Sequence, residues 1–269
     1  LDTGIGWAVD TLTLVTGGTE RMRVDAAGNV GIGVVPSGWH SGRSAIQIGG
    51  NGALMAKAAQ AAGSQTVLAQ NTNFDTDGTW EYISTDEASY YDQLNGTHVW
   101  YTAPSGTAGN DITFTERMRI DSTGAVTKPT TPMVQASLAS SVLNQTGNGT
   151  LYTIVTDTEV KDQGDDYSAP TFTAPVTGTY VVGGGVGLAG ITSATTEIQI
   201  SIVTSNDTYY PVQVGNVRQS GGEYRWQGSV QVDMEGADTA ILKVRVAGEA
   251  SDVVDIASGS TFFTARLAG

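Results

Sequence analysis

Hydrophobic and polar positions alternate in twos along most of this chain, most regularly after residue 133. From Tyr180 to Leu188 one side carries Tyr180, Val182, Val186 and Leu188, and the other carries Val181, Gly183, Gly185 and Gly187. Ile198, Ile200 and Ile202 alternate with Glu197, Gln199 and Ser201. Tyr224, Trp226, Val230, Val232 and Met234 alternate with Glu223, Arg225, Gln227, Gln231 and Asp233, and Leu242, Val244 and Val246 with Ile241, Lys243 and Arg245. A period of two is that of a strand buried on one face. Long strands of this kind joined by short turns predict a β-sandwich of the jelly-roll type over 133–269, a length sufficient for one domain with its own core.

Upstream the pattern is shorter in range and contains a repeat. Residues 19–30 read TERMRVDAAGNV and residues 115–126 read TERMRIDSTGAV, with 96 residues between their starts. Strict alternation puts Glu20, Met22 and Val24 on one face and Arg21, Arg23 and Asp25 on the other. Ala27-Gly28 and Thr123-Gly124 then supply turns, and Val30 and Val126 re-enter strands, so each repeat is expected to be a β-hairpin with a charge-paired face. Between the repeats, 53–62 (ALMAKAAQAA) is the one stretch with helix propensity and fits a short helix or a strand. Strand-like runs at 80–83 and 98–101 follow, broken by Asp77-Gly78 and Asn95-Gly96 hairpin turns. Lys128-Pro129-Thr130-Thr131-Pro132 interrupts regular structure, because proline removes a donor and forces extended backbone before it. The expected organisation is all-β: a hairpin repeat over 1–43, a β-rich shaft over 44–127 ending in the second repeat, a proline linker over 128–132 and the jelly roll over 133–269.

Composition agrees. The 269 residues include 36 Thr and 35 Gly but only 4 Lys, and Thr suits strands while Gly suits turns. No apolar run reaches the length of a membrane-spanning helix, so membrane insertion is not expected. The opening LDTGIGWAVD has neither the basic start nor the apolar stretch of a secretory leader and reads as if cut from something longer. Cysteine is absent, which removes disulfides, thiolate zinc sites and cysteine nucleophiles. Thirteen basic residues against 27 acidic ones give a net charge of −14. Phosphate backbones are therefore repelled, and four of the nine arginines are spent in the two repeats, so nucleic-acid binding is excluded.

TERMRIDSTGAV, the GNVGIGVVP continuation at 28–36 and YYDQLNGTHVWYTAPSGTAGNDITF resemble the stem regions of bacteriophage tail-fibre proteins, over about 1–127. Phe172, Gly178, Tyr180 and Phe262 or Phe263, in FTAPVTGTY and STFFTARL, resemble a complement C1q-like head, a trimeric jelly roll related to tumour necrosis factor. The glycine-rich run after Tyr180 departs from the bulkier residues usual there. The resemblance implies a homotrimeric fibre stem followed by a jelly-roll head, located outside the cell on the virion. Upstream tail or baseplate proteins and a host cell-surface glycan or protein would be its partners.

Chemistry-bearing constellations are sparse. His40 and His98 stand in unrelated turns with no G-x-S-x-G nearby, so a serine triad is not expected. Gly185-Val-Gly187-Leu-Ala-Gly190 has dinucleotide-loop spacing, but a strand rather than a helix follows. These glycines are better read as sites of close backbone approach, and no cofactor is expected. Asn73, Asp75 and Asp77 before Gly78 resemble half of a calcium loop, but Ser84 stands where the bidentate glutamate belongs, so a metal site is not assigned. The acids Asp157, Glu159, Asp162, Asp165 and Asp166 read as a solvated loop. The expected function is non-enzymatic attachment through the head. Two alternatives stand beside it: a purely structural trimeric fibre segment, and a tailspike that cuts polysaccharide with paired carboxylates. Working back from a last strand at about 260–268 places Thr192, Ser193, Arg218, Gln219, Ser220, Glu223, Glu249, Ser251 and Asp252 at the free end of the head, as the receptor-binding set.

Overall fold

Alternating β-branched and small residues give this chain strands and turns and no helix over the residues described, 2–217 and 221–268 of a computed structural model. The chain divides into two units, Leu1–Pro129 and Thr130–Gly269.

The first unit holds β1 (Gly4–Ala8), β2 (Thr11–Thr16), β3 (Thr19–Val24), β4 (Val30–Ile32), β5 (Arg43–Ile48), β6 (Gly52–Lys57), β7 (Gln65–Gln70), β8 (Thr72–Phe74), β9 (Trp80–Tyr82), β10 (Asp86–Leu94), β11 (Thr97–Gly106), β12 (Thr115–Ile120) and β13 (Val126–Thr127). Eleven of them form one sheet in near-sequential order, with the β8–β9 hairpin apart from it. Because β4 pairs in parallel with β5, the sheet runs unbroken across residues 43 and 44, and the separate 1–43 and 44–127 domains expected above are one body. The alanine-rich stretch is strand through Lys57, since β6 is paired on both sides and that pairing outweighs the local helix preference of alanine. Asn95 and Gly96 both take positive φ in the β10–β11 turn, the backbone that two-residue hairpins require.

The repeat differs from strict alternation in one respect. A β-bulge lies between Leu14 and Val15 in the β2–β3 register, and another between Trp100 and Tyr101 in β11–β12. The extra residue is Arg21 or Arg117, and it moves Glu20 and Glu116 to the same face as Arg23 and Arg119. Nε and Nη2 of each guanidinium then donate to the glutamate, at 2.8 and 3.0 Å in the first copy and 3.0 and 2.6 Å in the second. Asp25 and Asp121 close the following turns by accepting backbone N–H groups two and four residues on.

One face of this sheet is covered. Ala45, Ala53, Met55, Val67 and Ala69 are buried there with Trp39, and in the β8–β9 hairpin Phe74 packs edge-on against Trp80, which stacks on Tyr90. The other face carries two cross-strand rows. The first runs Trp7, Leu12, Val24, Val30, Ile46, Leu54, Leu68, Tyr91, Trp100 and Met118 through directly paired positions. The second begins Ile5, Leu14, Met22, Ile32 and Ile48, continues through Gly52 and Gln70, and ends on Ser89, Thr102 and Thr115. Neither row contains a charged residue.

The second unit holds β14 (Met133–Ser137), β15 (Val142–Thr146), β16 (Leu151–Thr153), β17 (Thr158–Gln163), β18 (Tyr167–Ser168), β19 (Thr171–Thr173), β20 (Gly178–Ala189), β21 (Glu197–Thr204), β22 (Thr208–Gly215), β23 (Glu223–Met234), β24 (Thr239–Ala247) and β25 (Val254–Leu267). Its sheets order as β17-β14-β25-β20-β23 and β18-β19-β24-β21-β22. Numbering β14 and β19 through β25 as eight principal strands gives 1-8-3-6 facing 2-7-4-5, the order of a jelly roll built from two Greek keys. The alternation expected from sequence is the observed one: Tyr180, Val182, Val186, Leu188, Ile198, Ile200, Ile202, Val244 and Val246 are fully buried between the sheets. Phe263 is the aromatic of the last strand that enters the core, where it stacks on Tyr167, while Phe262 lies on the outer face across Gly185. β25 begins at Val254, earlier than the 260 inferred from sequence, because a register shift near Gly185–Gly187 lets it continue along β20.

Candidate functional site

The second unit has two ends defined by its strands. The chain enters at Met133, paired with Arg266, and leaves at Leu267, whose N–H donates to Pro132 O. Ala268 N–H donates to Thr179 O, so β20 starts at that same end and finishes, at Ala189, at the opposite one. There three loops meet, 147–150, 190–196 and 248–253.

Glycine lets their backbones approach. A Cβ on Gly190 would sit 2.7 Å from Val253 O, one on Gly147 2.5 Å from Ser251 O, and one on Gly248 would overlap Ala194 O. All three glycines also have positive φ, which L side chains rarely adopt. The close-approach role read from the GxGxxG spacing thus falls on Gly190.

Side chains complete the junction. Thr192 donates to Glu249 Oε1 through its backbone N–H (3.1 Å) and hydroxyl (2.9 Å), and Thr195 Oγ1 donates to the same oxygen at 2.6 Å. Asp252 accepts the Asn148 N–H at 3.2 Å and the Thr150 hydroxyl at 2.7 Å. Partial burial disfavours the charged Glu249, but the hydrogen bonds from Thr195 and Thr192 outweigh it and hold this carboxyl below the usual glutamate range.

Of the residues singled out from sequence, Thr192, Ser193, Glu249, Ser251 and Asp252 therefore lie at one end, with Glu249 and Asp252 spent on tying loops together. Glu223 lies apart. Its carboxylate turns onto the outer sheet face, bonded to Ser260 and Arg225, and both bonds keep it ionised below its ordinary range. Arg218, Gln219 and Ser220 lie outside the described residues. The contribution of 147–150 was not read from sequence. Its signal is the pair Gly147 and Gly149 flanking Asn148, but nothing local says which distant loop they approach.

Ser193 and Ser251 remain exposed, so this end offers hydroxyls and backbone groups held on a fixed frame, with the carboxylates of Glu249 and Asp252 already engaged by donors. Such a surface suits a neutral polar ligand. Elsewhere, Asp75 and Asp77 accept hydrogen bonds from Thr79, while Asn73 uses its amide as a donor toward Gly38 O. Asp157 accepts the Ala139 N–H, and Asp162 those of Asp166 and Tyr167. Among the described residues no group of three or more His, Asp or Glu is arranged to hold a metal ion. Both histidines belong to the first unit, where His98 is bonded to Tyr91.

No protein-family model matches this chain, and no curated protein matches it in sequence. Solved structures similar to it include the globular domain of zebrafish complement 1qA, with a TM-score of 0.37, 10% identity and coverage of 51% of this chain and 98% of that one. Murine APRIL at pH 5.0 gives 0.37, 11%, 51% and 98% by the same measures. The jelly-roll assignment itself rests on the strand order.

Proposed function

We propose that this chain is part of a bacteriophage tail fibre, carried on the virion outside the cell, which attaches to a host cell-surface glycan or protein without a catalytic step. The observation that carries the reading is the three-loop junction: exposed hydroxyls on backbone locked by glycine contacts, at the end of the jelly roll away from where the chain enters and leaves. Recognition sites are commonly such loops on a rigid scaffold. The TERMR repeats supply the link to fibre stems.

Assembly as a homotrimer belongs to the same proposal. Alternate glycines on β20 leave a trough on the outer sheet face, floored by Gly183 and Gly185 and crossed by Phe262. A trough of that kind accepts a neighbouring copy closely. Upstream tail or baseplate proteins would hold the assembly to the particle.

The test is competition for adsorption by the purified chain. Wild type should block phage adsorption to its host. Ser193→Trp with Ser251→Trp should lose that block at unchanged assembly, while Glu235→Trp, at the opposite end, should keep it. Retained blocking by the first variant and loss by the second would place recognition at the wrong end. Shortened host polysaccharide after incubation would favour the tailspike reading, and assembly without any blocking would favour a purely structural segment.

A further inference from the structure

The first unit has an uncovered sheet face whose partner can be identified. Trp7 is 83% exposed and Leu68 60%, and between them Leu12, Ile46 and Leu54 stand in directly paired positions of one row. Ten strands at about 4.8 Å spacing make that row about 43 Å long. The nine large apolar side chains of the two rows that are more than a third exposed present on the order of 900 Å², where the largest patch on an ordinary monomer is about 300–600 Å² and a stable interface buries about 800 Å² per partner.

We infer that this face packs against the same face of further copies of this chain. Three features select that occupant. Each copy carries a net charge of −14, so copies can meet only through a surface that adds no like-charge contacts to that repulsion, and both rows are free of charge. The rows form a long narrow stripe, which suits copies running alongside one another better than a compact foreign partner. At its margin the bulge arginines Arg21 and Arg117 donate to Thr16 and Thr102, giving the apolar centre and polar rim of a protein interface. The number of copies, three, rests on the trimer proposed above; the face itself does not depend on host attachment.

Since the chain has no cysteine, a single introduced one reports its own position. Leu54→Cys and Leu68→Cys probe the row, and Ala62→Cys, in the exposed turn before β7, serves as the solvent reference. In the assembled full-length chain, maleimide should label positions 54 and 68 at least about tenfold more slowly than position 62, and in denaturant all three should react alike. Equal labelling in the assembled chain overturns the inference. So does protection that persists in a 27.9 kDa monomer by light scattering, which would mean that the chain covers its own face. Protection that appears only with host cells or lipid vesicles would assign the face to another partner and also overturn it. A trimer with fast labelling at 54 and 68 would leave assembly to the second unit and remove this face from it, and loss of host adsorption alone would leave the predicted pattern intact.

Discussion

The two units, of nearly equal length, bury their apolar residues in different ways. Among the described residues the second packs 25 buried hydrophobic residues into one cluster between two sheets, while the first gathers nine of its ten into two small clusters. Large residues show the same contrast. In β5, β6 and β7 the inward positions are held by Ala45, Gln47, Ala53, Met55, Val67 and Ala69, and Ile46, Ile48, Leu54 and Leu68 point out. In β21 and β24 Ile200, Ile202, Leu242 and Val244 point in. A sandwich is stable when its own two sheets meet, whereas a single sheet with its bulkiest residues outward is only half buried until something else meets it. The difference teaches where self-sufficiency ends in this chain.

The largest expected effect separates the two cores. Phe263→Ala removes a ring that is 1% exposed from the centre of the second unit and should cost about 3–5 kcal/mol, seen as a lower thermal midpoint by circular dichroism. Met55→Ala, the equivalent truncation in the first unit, should cost about 2–3 kcal/mol, because its thin layer can partly collapse. A larger loss at Met55 than at Phe263 would break the comparison.

Next come two glycines, one from each unit. A Cβ on Gly184 would lie 2.6 Å from Phe262 O and 2.7 Å from Leu242 Cδ2, inside the sandwich. Gly184→Ala should therefore destabilise by about 1–3 kcal/mol. Gly50, in the turn between β5 and β6, has nothing within 4 Å of its Cβ position, so Gly50→Ala should be neutral or raise stability by up to about 1 kcal/mol. Denaturant midpoints for the two variants sharpen the contrast, and a costly Gly50→Ala would show that the turn is covered.

A smaller effect tests the one acid held in the first unit's covered layer. Asp92 is 4% exposed, paired with Val67 and Val99 on the covered side, and its Oδ1 has no hydrogen-bond partner. Burial raises this carboxyl above the usual aspartate range, against the opposing pull of Gln65, Arg43 and Arg119. A group whose folded value is raised contributes stability below its unfolded pKa and loses it as pH rises through the folded value. Asp92→Asn should therefore stabilise the first unit by about 1 kcal/mol at pH 7, an advantage that vanishes in acid. Thermal midpoints of both proteins across pH 3 to about 7 check this, and a variant less stable at neutral pH would mean that Arg43 and Arg119 need the charge.

How far the sequence could be read follows the same division. In the second unit apolar alternation coincides with burial, because each strand has one sheet opposite and water behind. Phe172, Tyr180 and the β20 glycines are therefore legible from position alone. In the first unit the rule that bulky residues turn inward fails for Ile46 and Leu54, which lie on the uncovered face of the sheet. The bulges are equally hidden. TERMR looks like strict alternation, and only the partner strand shows that Arg21 and Arg117 are extra residues which put Glu20 beside Arg23 and Glu116 beside Arg119. At the loop junction the residue types were legible and the partnerships were not, because hydrogen bonds such as Thr150 to Asp252 join positions 102 apart.

The smallest expected effect belongs to that junction. Glu249 is held below its ordinary range by donors from Thr192 and Thr195, against the cost of its partial burial. For a depressed carboxyl the sign is opposite to that of Asp92: its contribution is present above the unfolded pKa and lost as pH falls through the folded one. Because this carboxylate is largely in water, the contribution is a few tenths of a kcal/mol, and it will not move the global midpoint visibly. Local opening is the sensitive readout. Amide exchange at 190–196 should quicken, relative to the intrinsic rates, as pH falls below the ordinary glutamate range and Glu249 takes up a proton, leaving Thr192 and Thr195 a weaker, uncharged acceptor. Glu249→Gln should show the faster, pH-independent exchange throughout and leave the sandwich strands unchanged. If exchange in 190–196 stays slow in that variant, the glycine contacts at Gly190 and Gly248 hold the loops without the carboxylate, and rigidity at this end comes from backbone packing alone.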